Sequence, residues 1–401
     1  MVKSFIFFII ILPLACLAQS TITGRVISQS NKKPVANVNV FINNATIGTK
    51  TSDDGAFVLR NVQSGKYQLV VSIVGFETSH QNIIVNDGNN TLPDIEISPK
   101  VTTLKEVSIT AKSDYNRGRK FEWFKESFLG TSELAKECKI INPGVLDLDY
   151  DEDTKTLTAS SYDFLVIEND ALGYKIKYLV TDFSFENKGE NEKKILYKGP
   201  VLFEEMKGTS ARERRWKKKR LEVYENSPMH FLRSALNNRM YEEGFRVQKL
   251  IFYDNPDRPS DSLINTRIRF YKGLKTFNYH QADSLAYWVK KSKLPKRFQK
   301  LITLNKQDII KQTDQPGQYA LNNDTNKLFV AYNKDHHYHI KDWAEYLYNA
   351  NNTENTLIKF NSPDAFFYSN GVIINPYSVM YYGVWGKKRV AELLPVNYEA
   401  Q

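Results

Sequence analysis

Residues 21–77 decide the fold of the first part of the chain, and they read TITGRVISQSNKKPVANVNVFINNATIGTKTSDDGAFVLRNVQSGKYQLVVSIVGFE. Ile22, Gly24 and Val26 alternate with Thr23, Arg25 and Ile27. This is the two-residue period of a strand that has one buried face. Residues 38–42 repeat the alternation, with valine and isoleucine in one set and asparagine and phenylalanine in the other. This stretch therefore predicts a succession of short β-strands.

Turn signals separate these strands. Asp-Asp-Gly at residues 53–55 favours a tight turn, because aspartate caps nearby N–H groups and glycine accepts a positive φ. Ser-Gly at residues 64–65 predicts a second turn, and residues 66–74 after it are rich in valine, tyrosine and isoleucine. Two further strands are predicted near residues 81–85 and 93–98. About seven strands at this spacing predict a β-sandwich.

Five motifs in this order resemble the carboxypeptidase-like regulatory domain: G-R-V, P-V-A-N-V-N-V, T-S-D-D-G-A-F, G-K-Y-Q-L-V-V-S and G-F-E. The resemblance covers residues 20–98 and implies a transthyretin-like sandwich, a fold sometimes grouped with carbohydrate-binding-like folds. Such domains are appended to metallocarboxypeptidases and open many TonB-dependent receptors, and residues 104–110, LKEVSIT, resemble the segment that leads to the receptor plug. The resemblance implies no catalysis, and the chain is too short for a plug and a large barrel.

The fold class expected for the whole chain is mainly β, with an α+β C-terminal region. The expected organisation is a signal peptide at 1–18, the seven-stranded sandwich at 19–98, a linker at 99–113, an α+β region at 114–250 and a β-rich region at 251–401. The later part, with FLGTSELAKECKIINP, YKGPVLF, SPMHFLRSALNNRMYEEGF and RVAELLP, resembles uncharacterised envelope proteins that pair such a region with the regulatory domain. This second resemblance implies architecture and no chemistry.

Several local patterns predict elements beyond the sandwich. Residues 116–136 favour a helix with phenylalanines along one side. Ser227 fits an N-cap, the following proline fits the first helical turn, and Gly244 fits the position after the helix end. A strand is predicted at residues 268–271, a helix at 283–293 and a hairpin turn at Ser-Asn-Gly 369–371.

The first eighteen residues predict export. Lys3 precedes an apolar run that is too short to span a bilayer, and small residues follow it, so we expect cleavage before Gln19. The alternative is lipidation of Cys16, which would anchor the protein to a membrane. The expected location is the periplasm or the outer-membrane periphery of a Gram-negative bacterium. Cys138 is then the only remaining cysteine, and its neighbours favour a buried small hydrophobe over a reactive thiol.

The formal net charge of +10 directs attention to one basic run, residues 212–220. Its candidate binding residues are Arg212, Arg214, Arg215, Trp216, Lys217, Lys218, Lys219 and Arg220. One interpretation is a solvated helix face. The other is contact with an anionic lipid surface, a glycan or an envelope protein, with Trp216 either at that contact or in the core. The expected compartment disfavours nucleic acid.

Two clusters resemble metal sites only weakly. In DHHYHI, Asp335, His337 and His339 would share one side of a strand, but zinc needs three or four converging ligands. The favoured interpretation is a polar, solvent-facing strand. D-x-D-x-D-x-D at residues 147–153 lacks the glycine and final glutamate of a calcium loop, so a hairpin turn is favoured there. No metal or other cofactor is expected.

The sequence contains no G-x-S-x-G, H-E-x-x-H or phosphate-binding glycine loop. We therefore expect a non-catalytic exported envelope protein that binds or scaffolds through the β-sandwich and the basic run. Its ligand would be a glycan, a peptide or a partner protein. The alternative is an envelope hydrolase with an unrecognised site near His337 and His339.

Overall fold

The structure, a computed structural model, describes residues 20–100, 116–187, 189, 193–275, 278–322, 324–338 and 354–400. The predicted signal peptide, Cys16, the cleavage site before Gln19 and most of the predicted linker lie outside the described residues. Among the described residues, no helix is both long and apolar enough to cross a lipid bilayer.

The N-terminal region is a β-sandwich, as predicted, although it has eight strands where about seven were expected. The strands are β1 (Ser20–Ser28), β2 (Asn39–Ile42), β3 (Gly48–Lys50), β4 (Ala56–Val62), β5 (Gly65–Ser72), β6 (Ser79–Val85), β7 (Asn89–Thr91) and β8 (Ile95–Ile97). One sheet has the order β4-β1-β7, with β8 also on β1, and the other has the order β3-β2-β5-β6.

The predicted alternation explains the core of this sandwich. Ile22 and Val26 of β1 and Val40 of β2 are fully buried between the sheets. Gly55 occupies the predicted turn with φ +76°, and a Cβ there would lie 2.5 Å from the carbonyl oxygen of Val26. Asp54 accepts the N–H of Ala56 at 3.2 Å and the hydroxyl of Ser52 at 2.6 Å, and these bonds lower the pKa of its carboxyl.

The central region contains two antiparallel four-stranded sheets and three helices. Its elements are α1 (Arg117–Leu129), α2 (Glu133–Lys136), β9 (Cys138–Ile140), β10 (Leu146–Asp151), β11 (Thr156–Ser161), β12 (Leu165–Asn169), β13 (Tyr174–Tyr178), β14 (Asp182–Asn187), β15 (Lys193–Lys198), β16 (Val201–Glu205) and α3 (Ser210–Tyr224). The sheet orders are β10-β11-β14-β15 and β16-β13-β12-β9. Both sheets and α1 contribute to one core around Phe124, Phe128 and Phe183.

The C-terminal region is organised around a five-stranded sheet. Its elements are α4 (Pro228–Leu236), β17 (Phe245–Asp254), α5 (Asp261–Lys272), α6 (Tyr279–Ser292), β18 (Arg297–Thr303), α7 (Lys306–Ile309), β19 (Ile310–Gln312), β20 (Gln318–Leu321), β21 (Lys327–Tyr332), β22 (Asn355–Phe360), β23 (Ala365–Tyr368), β24 (Val379–Gly383) and α8 (Val384–Lys387). The main sheet has the order β18-β17-β21-β22-β24, and a smaller sheet has the order β19-β20-β23.

Some local predictions were wrong in their extent or type. The helix predicted over residues 116–136 breaks at Gly130, which has φ +96°. Ser227 caps α4 as predicted, by accepting the N–H of His230 at 3.0 Å, but the helix ends at Leu236 and not near Gly244. The strand predicted at residues 268–271 lies within α5, whose first turn is fixed by the Ser260 cap. The helix predicted at residues 283–293 is present as α6, and the hairpin turn predicted at residues 369–371 is present after β23.

The boundary predicted at residue 250, between the α+β region and the β-rich region, stays a prediction. β17 runs through that position, from Phe245 to Asp254. The central core includes Val223 of α3 and also Val390, Ala391 and Leu394 near the C-terminus, whereas the next core includes Phe231 of α4. Residues near the C-terminus therefore pack back on the central region.

The sandwich packs directly on the central region. Phe41 and Val70 point out of the sandwich core and are covered by Phe164, Leu179 and Leu202 of the central region. Next to this cluster, residues 43–45 pair with β16. The N–H of Asn44 donates to the carbonyl oxygen of Val201, and the N–H of Phe203 donates to the carbonyl oxygen of Ala45. This contact fixes the sandwich relative to the rest of the protein.

Candidate functional site

The predicted basic run lies on α3, and its tryptophan belongs to the core. Trp216 is only 2% exposed, and its indole N–H donates to the carbonyl oxygen of Asp170 at 2.7 Å. The ring lies so close to Gly173 and Gly208 that no larger residue would fit at either position without a shift. Of the two predicted roles, Trp216 therefore has the core-facing one. Its neighbours on the helix are oriented by this anchor.

Several cations of α3 are held by the central region. Arg212 pairs with Asp170 at 2.9 Å, and Arg215 pairs with Glu137. Arg220 is the most enclosed of these cations. It pairs with Glu205 at 3.0 Å, donates to two main-chain carbonyls of the β12–β13 turn, and lies 3.8 Å from the centre of the Tyr174 ring.

The remaining cations give α3 an outer basic face. Lys219 pairs with Glu222 at 2.8 Å along the helix. Arg214, Lys217 and Lys218 are exposed. The predicted run is thus divided between structural ion pairs on one side and a smaller solvent-facing group on the other.

A cleft opens beside α3 where all three regions meet, and we call it the central cleft. Its volume is about 540 Å³, within the usual size of small-ligand sites. It is lined by residues of the sandwich, of β13 and β16, of α3 and of the C-terminal tail: Thr46, Ile47, Asn61, Gln63, Tyr67, Tyr174, Glu205, Met206, Glu213, Trp216, Lys217, Arg220, Pro395, Asn397, Tyr398 and Glu399. Basic residues of the predicted run and loops of the predicted sandwich therefore contribute to one site.

The C-terminal tail closes one side of the central cleft, and hydrogen bonds hold it there. The N–H of Val396 donates to the carbonyl oxygen of Asn44 at 2.6 Å, and the Asn397 side chain donates to Thr46 at 2.7 Å. From the other side, the Arg233 guanidinium donates to the carbonyl oxygens of residues 396 and 398, both at 2.8 Å. These bonds fix a tail that carries no regular element.

The polar groups of the central cleft are of mixed sign. Three carboxylates, those of Glu205, Glu213 and Glu399, face two cations of α3. The amide of Gln63 donates to Glu399 at 2.5 Å across the cleft. The site therefore offers hydrogen-bond donors and acceptors without a strong net charge.

The tyrosines of the central cleft remain neutral at ordinary pH. Burial raises the pKa of Tyr67, and it raises the pKa of Tyr174 further, against the opposing effect of Arg220. Burial also raises the pKa of Tyr398. Their phenol groups thus serve as hydrogen-bonding and stacking surfaces and carry no charge.

Asp335 and His337 do not lie on a strand, although both the favoured polar, solvent-facing strand and the weak metal alternative required one. Both residues are exposed in a turn and loop after β21. His336 has φ +58° and stacks on Tyr241 with ring centres 4.4 Å apart. His339 lies outside the described residues. In the part of the chain that the structure describes, no group of three potential ligands converges.

The aspartate series and the cysteine have the predicted structural roles. Residues 147–153 belong to the hairpin of β10 and β11, and the Asp151 carboxylate accepts N–H groups of residues 153 and 154 in its turn. Cys138 is buried, and burial raises the pKa of its thiol to about 12. A thiol with this pKa is not poised for nucleophilic attack.

Sequence reasoning missed most of the central cleft. Asn61 and Gln63 are ordinary polar residues near a strand end, and Glu399 and Tyr398 lie more than three hundred residues later. No spacing signal connects them, because only the docking of the sandwich and the tail brings them together.

The comparisons with known proteins concern mainly the sandwich. Residues 22–109 match the family model of the CarboxypepD_reg-like domain. This confirms the predicted resemblance, and the matched residues are about a fifth of the chain. No curated protein is significantly similar to the chain in sequence.

Solved structures similar to the chain are sandwich proteins of low sequence identity. The 5-hydroxyisourate hydrolase of Klebsiella pneumoniae is 16% identical over 20% of this chain and 91% of its own, with a TM-score of 0.18. The pilin subunit BcpA of Bacillus cereus is 15% identical over 21% of this chain and 31% of its own, also at 0.18.

A type II cohesin–X-dockerin complex of Acetivibrio cellulolyticus gives 21% identity over 20% of this chain and 56% of the other, with a TM-score of 0.18. The matched part thus spans little more than half of that protein. Matches with TM-scores at this level carry no argument about this chain.

Proposed function

We propose that this protein is a non-catalytic, exported envelope protein that binds a glycan in the central cleft. The observation that carries the proposal is the composition of the cleft wall. Aromatic rings of Tyr67 and Tyr398 lie beside the side-chain amides of Asn61, Gln63 and Asn397. Apolar ring surfaces combined with a few placed polar groups are typical of sites for small polar ligands.

The charge of the central cleft supports a neutral glycan segment over an acidic one. Its carboxylates outnumber its cations, and Arg220 is already engaged by Glu205 and two main-chain carbonyls. A polyanion would meet the carboxylates of Glu213 and Glu399, which would repel it. Hydroxyl groups of a sugar, in contrast, can both donate to carboxylates and accept from amides.

This proposal includes two further parts: the protein is exported, and it catalyses no reaction. They rest on the apolar N-terminal segment, on the family match of the sandwich and on the lack of a recognised catalytic motif. The hydrolase alternative gains no support from the described residues, among which no three His, Cys, Asp or Glu side chains converge.

The test is a glycan array probed with the mature full-length protein, followed by titration of each bound glycan. Asn61→Ala and Gln63→Ala should each weaken binding at least tenfold, because each removes an exposed amide from the cleft wall without disturbing a buried group. Asn89→Ala, an exposed amide of the same sandwich on β7, is the matched control and should leave affinity unchanged. Binding of peptides but of no glycan, or equal losses in all three variants, would contradict the proposal.

A further inference from the structure

The segment that contains α5 and α6 is strongly basic. Residues 252–300, which we call the arm, contain eleven lysines and arginines and four aspartates. Their net charge is +7, of +10 for the whole chain. The basic run on α3, residues 212–220, has a net charge of +6, so the arm is a second strongly basic segment of the chain.

The arm has almost no core of its own. Ile264 is the one buried residue of α5, and in α6, all of which is described, no residue is buried. Polar bonds hold the base of the arm instead. Arg258 donates to the carbonyl oxygen of Leu294 at 2.9 Å and pairs with Asp261 at 2.6 Å, and Asn255 donates to Pro295 at 2.9 Å.

The two helices are stabilised locally, which lets their sides remain exposed. Ser260 caps α5, and Asn278 and Gln281 form a reciprocal capping box at the start of α6, with bonds of 2.9 and 3.0 Å. Caps of this kind contribute about 1 kcal/mol each. The arm can thus form without burying its apolar side chains.

Among the residues of the arm that the structure describes, seven large apolar side chains are exposed over 38% to 79% of their surface: Phe252, Tyr253, Leu263, Phe270, Tyr279, Tyr287 and Phe298. Tyr253 and Phe298 are paired across β17 and β18, with ring centres 5.7 Å apart. On α5, Leu263 and Phe270 are seven residues apart and therefore share one side of the helix. Exposed apolar groups at this density mark an interaction surface.

Cations accompany these aromatic groups on each helix. The nearby aspartates engage only part of the charge, since Asp261 pairs with Arg258 and Lys296 and Asp254 pairs with Arg297. Among the described residues, no carboxylate lies within ion-pair distance of Lys272, Lys275, Lys290 or Lys293. The exposed surface of the arm therefore combines aromatic rings with uncompensated positive charge.

We propose that the arm is a membrane-surface contact that docks on the anionic phospholipid headgroups of a bilayer. Tyrosine and phenylalanine side chains enter the headgroup region, and each nearby lysine or arginine adds about 1 kcal/mol of attraction to anionic lipid. The arm distributes both kinds of group over two helices and a strand pair, which suits a laterally extended surface. This contact is separate from the central cleft and does not depend on a ligand there.

The test is co-sedimentation of the full-length mature protein with vesicles of phosphatidylcholine alone and of phosphatidylcholine mixed with phosphatidylglycerol. We expect binding to the anionic vesicles at low salt, loss of most of it at high salt, and little binding to the neutral vesicles. Lys290→Gln combined with Lys293→Gln should weaken binding about thirtyfold, which corresponds to about 2 kcal/mol at about 1 kcal/mol for each cation. Phe270→Ser combined with Tyr279→Ser should weaken it on the order of tenfold.

The matched control is Arg214→Gln combined with Lys218→Gln, which removes two exposed cations from α3. It should change vesicle binding by less than about threefold, because it leaves the charge of the arm intact. Circular dichroism of each variant verifies that the fold is retained. The proposal is wrong if the protein does not bind anionic vesicles, if it binds both vesicle types equally, or if the α3 control weakens binding as much as the arm variant. Binding of an acidic protein without vesicle binding would also overturn it.

Discussion

Gly173→Ala is expected to be among the most destabilising single substitutions in the central region, because of where Trp216 lies. Gly173 has φ +69°, and a Cβ there would stand 2.5 Å from Cε3 and 2.7 Å from Cε2 of the indole. The left-handed backbone conformation costs a non-glycine residue about 1–2 kcal/mol. Displacing a packed side chain adds about 1–3 kcal/mol. The expected loss of unfolding free energy is therefore about 2–5 kcal/mol.

Gly88→Ala separates the two contributions. Gly88 has φ +89°, but no atom lies within 4 Å of the position that its Cβ would take. This control should cost only the backbone part, about 1–2 kcal/mol. A double-mutant cycle provides the second check. With Trp216→Ala already present, Gly173→Ala should also cost only the backbone part, so the coupling should be about 1–3 kcal/mol.

Urea unfolding followed by far-ultraviolet circular dichroism measures these differences, provided that the transition of the central region is resolved. The result that would refute the reasoning is a Gly173→Ala variant no less stable than Gly88→Ala. Trp216 would then not pack against the β12–β13 turn, and its role as an anchor of α3 would have to be abandoned.

Three further predictions follow from buried groups. Burial lowers the pKa of His230 below its ordinary 6.5, despite the opposing effect of Glu243, so the unfolded chain binds this proton at a higher pH than the folded protein does. The free energy of unfolding should therefore fall as the pH drops through 6.5, and it should fall less in His230→Gln. Urea unfolding at several pH values measures both. Burial lowers the pKa of Lys388 from 10.5 to about 8, so this group should make the free energy of unfolding rise between pH 8 and 10.5. If the slope of the free energy of unfolding against pH is the same in Lys388→Met, the prediction is wrong. Phe41→Ser should destabilise the full chain by about 3 kcal/mol but barely affect an isolated fragment of residues 20–100. The reason is that Phe164 and Leu202 cover Phe41 only in the full chain. Equal effects of the substitution on the melting curves of both proteins would contradict this contact.

The sandwich could be predicted because its signals are local. The period of β1 and the turn at Gly55 each occupy a few consecutive residues, and the structure places both as expected. The same holds for the Ser227 cap and for the hairpin of β10 and β11. Each of these elements is determined by neighbours in sequence, so no knowledge of distant residues was needed.

Interfaces between regions could not be predicted in this way. The alternation in residues 38–42 placed Phe41 on the solvent side of the sandwich, and Phe41 is fully buried. Its cover comes from Phe164, Leu179 and Leu202, which no periodic pattern links to β2. The central cleft arises from the same docking, so its lining residues had no signature that a single sequence could show.

The contrast between Trp216 and Phe270 shows what hydrophobic pattern alone leaves undecided. Both are aromatic residues within strongly basic segments, and both lie on helices. Trp216 is buried because the β12–β13 turn, some forty residues earlier, covers it, whereas Phe270 has no such cover and is 58% exposed. Residues 268–271 were predicted to form a strand, but they belong to α5, a helix that has no continuous buried stripe to show the helical period. The prediction for α5 was wrong because its apolar side chains are exposed among cations, and these exposed side chains are also what distinguishes the surface of this helix.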